Sequence, residues 1–159
     1  MSRVRLATLK DMPALVRFRR RMFEDIGVRD RRALDAQDRS YRTWARLLLR
    51  SRRFIGFIAE AEGRPVAGGA VWLRDQQPLP GRPACQPYLM SVYTEREHRG
   101  RGLASRITRA AIDWCREHGY DEHGYDEMRL HASAMGRRVY RRLGAKRTWE
   151  MRLDFRRRA

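Results

Sequence analysis

A chain of 159 residues, 42% of them hydrophobic, has enough apolar material for one packed core, and a single domain over residues 1–159 is the expectation. No run of about 18 apolar residues is present for a membrane span, the opening MSRVRLATLKDM lacks the apolar stretch of a signal peptide, and Cys85 and Cys115 are too few for a disulfide framework, so a cytoplasmic protein is expected. The net charge of +17 raises nucleic acid as a partner, but lysine occurs only at Lys10 and Lys146 and the arginines are spread along the chain; scattered solvated charge is the better account, in a field that would still welcome an anionic cofactor.

RVRLAT alternates Val4 and Leu6 with arginines, as a half-buried strand does. Asp11 is then placed to cap a helix with Pro13 in its first turn; Leu15, Phe18, Met22 and Ile26 follow at helical spacing until Gly27. A second helix is predicted over Arg31–Arg50, with Tyr41, Trp44 and Leu48 on one face. FIGFIAEAEGRPVAGGAVWL reads as an antiparallel pair of strands around a turn at Glu62–Pro65. RDQQPLPGRPACQP, with four prolines in fourteen residues, is expected to be a loop outside any sheet ladder. YLMSVYT, from Tyr88 to Thr94, is the next strand, rich in aromatic and β-branched residues.

Directly after it, EREHRGRGLASRITRAAIDWCREHG opens as a polar turn and continues as a helix with Leu103, Ile107, Ala111 and Trp114 in one stripe. Strand, glycine turn, helix offers unpaired N–H groups and the positive end of a helix dipole, with Gly100 and Gly102 letting the backbone approach an anion. A P-loop is excluded because Leu103 and Ala104, not Lys and Ser or Thr, follow Gly102. A dinucleotide fold is excluded because Ser105 stands where the third glycine belongs and the next strand, MRLHA, ends without an acidic residue. A glycine turn with no ligand remains the alternative on local evidence.

RGRGLA, as Arg99-x-x-Gly102-x-Ala104, resembles the motif with which GNAT-superfamily N-acetyltransferases hold the pyrophosphate of acetyl-coenzyme A, and SAMGRRVYRRLGAKR is similar to the family's later helix with a tyrosine before a Leu-Gly turn. The order of elements on both sides agrees as well. The resemblance implies an α/β (α+β) fold: a mixed, mostly antiparallel, twisted sheet of six to seven strands flanked by about four helices. It also implies direct acetyl transfer to an amine, with acetyl-coenzyme A as the acyl donor and no metal; a homodimer is compatible with it. The rival readings are a basic nucleic-acid-binding module and an acyl-coenzyme A sensor without turnover.

Under that resemblance, residues can be matched to chemical needs. Backbone N–H groups of Arg99, Gly100, Arg101, Gly102, Leu103, Ala104 and Ser105 would hold the pyrophosphate, with the Arg99 and Arg101 charges nearby. Met90, Ser91, Val92, Tyr93 and Thr94 would offer a strand edge to the pantetheine amides, the N–H near Val92 polarising the thioester carbonyl. Tyr140 matches the family's proton donor to the departing thiolate, and Ser133 stands where the family often contacts the cofactor. No base is assigned among His131, Glu24 and Glu150. The acceptor is an amine of unspecified kind; the five acids of EDIGVRDRRALDAQD, Glu24 to Asp38, read as a solvated loop.

Between the glycine-turn helix and MRLHA lies HGYDEHGYDE, His118 to Glu127, the same five residues twice. Its histidines are five apart, which is neither one helix face nor one strand face, so no metal site is expected and one copy reads as an exposed loop extension. Whether Tyr120 or Tyr125 takes the packed position before the strand is left open.

Overall fold

The computed structural model describes residues 3–77, 80–81, 84–120, 127–151 and 153. Strands β1 (Val4–Leu6), β2 (Phe54–Ala61), β3 (Arg64–Asp75), β4 (Cys85–Thr94) and β5 (Arg129–Leu130) lie in that order in one sheet. All neighbours are antiparallel except β4 and β5, which run parallel. The helices are α1 (Met12–Asp25), α2 (Arg31–Arg50), α3 (Leu103–Glu117) and the single-turn α4 (Arg137–Arg142). This is the mixed α/β architecture expected, with five strands among the described residues rather than six or seven. After α4 no strand forms among those residues, and the alternating Trp149, Met151 and Leu153 are 97%, 90% and 83% exposed. The two-residue β5 offers too short a ladder to register a further strand against it.

The first two helices keep their sequence-derived bounds because their end signals are local. Asp30 accepts the Ala33 N–H at 3.1 Å and starts α2; Gly27, at φ +101°, follows the end of α1. Asp11 behaves differently from expectation. Its carboxylate makes no cap bond to α1 but accepts the Thr8 N–H at 2.8 Å, closing a capping box around a preceding 3-10 turn, and binds Arg5 of β1. The proline-rich stretch is also shorter as a loop than its composition suggests: β3 runs to Asp75, β4 begins at Cys85, and Pro87 sits opposite Leu73. The proline is tolerated there because β5 joins β4 only from Tyr88, leaving no ladder for its missing N–H to break.

The sheet separates two cores. On one face Ile55, Phe57, Ala59, Val71 and Leu89 pack against Leu103, Ile107 and Ala111 of α3. On the other, Phe54, Ile58, Ala70 and Tyr93 meet Leu15 and Phe18 of α1 and Tyr41 of α2. Gly69 lets α3 close on the sheet: a side-chain carbon there would lie 2.8 Å from Ile107 Cγ2 and 3.0 Å from Val92 Cγ2. Past α3, Tyr120 stacks on Trp114 with ring centroids 5.8 Å apart and donates its N–H to the Cys115 carbonyl. The first tyrosine of the duplicated stretch therefore packs; Tyr125 and the rest of residues 121–126 lie outside the described residues.

Candidate active site

β4 is paired on both sides for only part of its length. β5 meets it at Tyr88 and Leu89, after which His131–Ser133 leave the sheet and Met90–Thr94 have β3 alone as a strand neighbour among the described residues. On the β3 side the register slips: Ala70 faces Met90 and Gly68 faces Tyr93, so Ser91 and Val92 together oppose Gly69. This is a bulge, with Ser91 at φ +54°, a left-handed conformation that costs a non-glycine residue about 1–2 kcal/mol. The chain is thus bent just after its described pairing with β5 ends.

The glycine turn follows at the end of that edge. Gly100 and Gly102 have φ +77° and +73°, and beyond Gly102 there is open space where a side chain would stand. Gly102 caps α3 from the left-handed region with no side-chain hydrogen bond, so the N–H groups of Leu103, Ala104 and Ser105 have no carbonyl partner within the helix, whose first ladder bond runs from Arg106 N–H to the Gly102 carbonyl. Leu103 is buried and fixes the helix start, while Arg101 is exposed. The Thr94 hydroxyl oxygen, at the end of β4, is buried without a hydrogen-bond partner among the described residues. An uncapped N-terminus and an orphaned hydroxyl beside a free strand edge fit an elongated anionic ligand that carries amides.

Arg99 is turned another way. Its Nε donates to the Thr94 carbonyl at 3.0 Å, its Nη2 binds Asp25, and its guanidinium lies 5.3 Å from the Tyr93 ring centroid. Asp25, whose side chain is 8% exposed at the end of α1, also takes Arg96 and the Tyr93 hydroxyl. Burial alone would raise its pKa, yet the hydrogen bonds and charges of Arg96 and Arg99 bring it below the ordinary value. Glu95, in the turn, is the mirror image: it holds Arg17 and Arg21 of α1. Two carboxylates, one from each element, each grip two arginines of the other and so lock α1 to the glycine turn. The sequence reading missed this lock, although Arg17 and Arg21, four apart on one helix face, were its visible half.

Tyr140 sits on α4 and packs against the α3-side core, where burial pushes its phenol up from the usual value. A side-chain carbon at position 136 would lie 2.9 Å from the Tyr140 ring and 3.2 Å from Ser133 Oγ, so both side chains close on the same spot. Ser133 Oγ accepts the Gly136 N–H at 3.1 Å. Among the groups considered as base, His131 and Glu150 are exposed and Glu24 pairs with Arg20. Nor do the five acids from Glu24 to Asp38 form a solvated loop: Glu24, Asp35 and Asp38 converge on Arg20, Asp25 is in the lock and Asp30 caps α2. No cluster of His, Cys, Asp or Glu able to hold a metal ion occurs among the described residues, and no described helix is long and apolar enough to cross a membrane.

A model of the acetyltransferase (GNAT) family matches residues 14–145. Human N-acetyltransferase 8B is 34% identical over 92 residues, 58% of this chain; the match spans only 38% of that protein's length. Among solved structures, a GCN5-related N-acetyltransferase from Ralstonia eutropha superposes with a TM-score of 0.84 at 26% identity, covering 98% of this chain and 99% of that one. A protein from Clostridium acetobutylicum described as a predicted acetyltransferase, determined with acetyl-CoA, superposes with a TM-score of 0.82 at 26% identity over 97% and 96% of the two chains.

Proposed function

Because the chain belongs to the acetyltransferase (GNAT) family, we propose that it moves an acetyl group from acetyl-coenzyme A directly to a primary amine, as one cytoplasmic domain. The observation that carries this reading is the uncapped α3 N-terminus at Gly102, set at the end of a β4 edge that no described strand pairs beyond Leu89. In this reading the N–H groups from Gly100 to Ser105 hold the pyrophosphate of the donor, and Met90–Thr94 pair with its amides as an added strand would. Arg99 shapes the turn through Asp25 and Thr94 rather than meeting phosphate itself. The bulge aims the Val92 N–H at the thioester oxygen, where charge develops as the amine attacks.

The neutral amine attacks, the C–N bond forms as the C–S bond breaks, the nitrogen releases its extra proton to water, and the departing thiolate needs a hydrogen-bond donor. Tyr140 is that donor. Its raised pKa keeps the phenol protonated near neutrality, so it hydrogen-bonds the sulfur and yields its proton only as negative charge builds there. Ser133 holds the turn that places the Tyr140 ring. Calorimetry with acetyl-coenzyme A tests the reading: Gly102→Glu, which puts a carboxylate at the anion site and strains a left-handed position, should weaken binding at least ~100-fold, about 2.7 kcal/mol or more. An intact protein that fails to bind acetyl-coenzyme A would overturn it.

A further inference from the structure

Four arginines lie close together in α1, and one is unlike the others. Arg17 and Arg21 share Glu95, and Arg20 gathers Glu24, Asp35 and Asp38. Arg19 has no carboxylate within ion-pair distance among the described residues. Its guanidinium lies 5.1 Å from the Phe23 ring centroid and 4.8 Å from that of Tyr41. Nη1 donates to Ser91 Oγ at 2.8 Å, and with the Gln37 carboxamide turned so that its NH2 meets Asp38, its oxygen accepts from Nε at 3.0 Å. The Nη2 donors have no partner among the described residues. A guanidinium stays charged in proteins, so a partly enclosed one without a counter-ion is an anion site. Burial pulls its pKa below the usual value, the direction that a bound anion would reverse.

Its position says which anion. Arg19 comes from the α1 side of the sheet, opposite α3, and meets Ser91 on the bulge, one residue before Val92. Neighbouring Cα atoms are about 3.8 Å apart, so a group held by Arg19 lies within a small molecule's reach of the acetyl group. We propose that Arg19 recognises the acceptor through an oxyanion, carboxylate or phosphate, carried a few atoms from its amino group, as in an amino acid or a phosphorylated amino alcohol. The acids of the α1–α2 stretch support the same class: all five are already engaged, leaving none for a polycationic amine.

This proposal rests on the acetyl-transfer reading, and one experiment separates the two. The protein and its Arg19→Gln and Arg19→Lys variants are assayed for thiol release from acetyl-coenzyme A. The panel holds common amino acids beside their methyl esters and decarboxylated amines, and O-phosphoethanolamine beside ethanolamine. The expected result is an oxyanion-bearing amine preferred at least tenfold in kcat/KM over its neutral counterpart. Arg19→Gln should erase that preference through KM, Arg19→Lys should restore part of it, and acetyl-coenzyme A affinity should stay within twofold for both. The preferred pair tells carboxylate from phosphate. Equal turnover of charged and neutral partners, turnover of no anion-bearing amine, or a preference that survives Arg19→Gln overturns the proposal. Failure to bind acetyl-coenzyme A sinks the acetyl-transfer reading instead.

Discussion

Against α3 the sheet presents mainly aliphatic side chains, Ile55, Ala59, Val71 and Leu89 with Phe57 among them, and α3 answers with Leu103, Ile107 and Ala111; against α1 and α2 it presents Phe54 and Tyr93 beside Ile58 and Ala70, answered by Leu15, Phe18, Tyr41 and Trp44. Among the described residues, guanidinium groups lie over rings at Phe18, Phe23, Tyr41 and Tyr93 around the second core and at Tyr88 further back along β4. Under the proposed function the two faces have different things to hold. A helix start that fixes an anion by backbone N–H groups must not shift, and interdigitated aliphatic side chains give it a stiff seat. The face that meets a polar, water-borne acceptor needs surfaces that are apolar in body and polar at the tip, which aromatic rings and arginines supply.

Three measurements would break or sharpen this contrast. The largest effect is expected on the stiff face: Ile107→Ala leaves a void opposite Gly69 and should cost about 3 kcal/mol in a urea titration, with weaker acetyl-coenzyme A binding. A loss in stability with no loss in binding would show that α3 does not need its seat to hold the donor. At the edge of the same face, Tyr140→Phe keeps the packing and removes the proton, so kcat should fall about 100-fold while donor affinity stays within twofold. An unchanged kcat would remove Tyr140 from the reaction.

The smallest effect belongs to the start of α1. The Arg5 hydrogen bonds, followed by those from Thr8, lower the Asp11 pKa from 3.8 to about 2. A depressed folded-state pKa contributes stability that is full above the unfolded value, so about 2 kcal/mol should be present above pH 4 and lost as pH falls toward 2. The stability gap between the protein and Asp11→Asn should close over that window; a gap independent of pH would mean that charge is not what Asp11 contributes.

Which parts were legible in the sequence depends on the range of the interaction. The ends of α2, the β2–β3 turn and the left-handed glycines of the motif are set by residues next to each other in the chain, and each was readable. Asp11 is the exception: its capping-box partner Thr8 is only three positions back, but Thr-x-x-Asp before a proline offers two adjacent turns to cap, and the ion pair with Arg5 accompanies the first. Arg99 looked free because Asp25 lies 74 positions away. Ser91 carried no mark of a bulge; the only hint was the Gly68–Gly69 pair across the ladder, where a second side chain would have met Ile107. Arg19 was invisible for the opposite reason: in a run of arginines nothing distinguishes the one that lacks a carboxylate until the fold has paired the rest.

The stack of Tyr120 on Trp114 has a consequence for how such a gene can grow. It ties the chain down at the end of α3, and the Leu89–Leu130 pairing ties it again at β5. Both anchors lie outside residues 121–126, so a five-residue copy inserted between them leaves the described contacts of helix and strand in place. The printed repeat HGYDEHGYDE stands at that place.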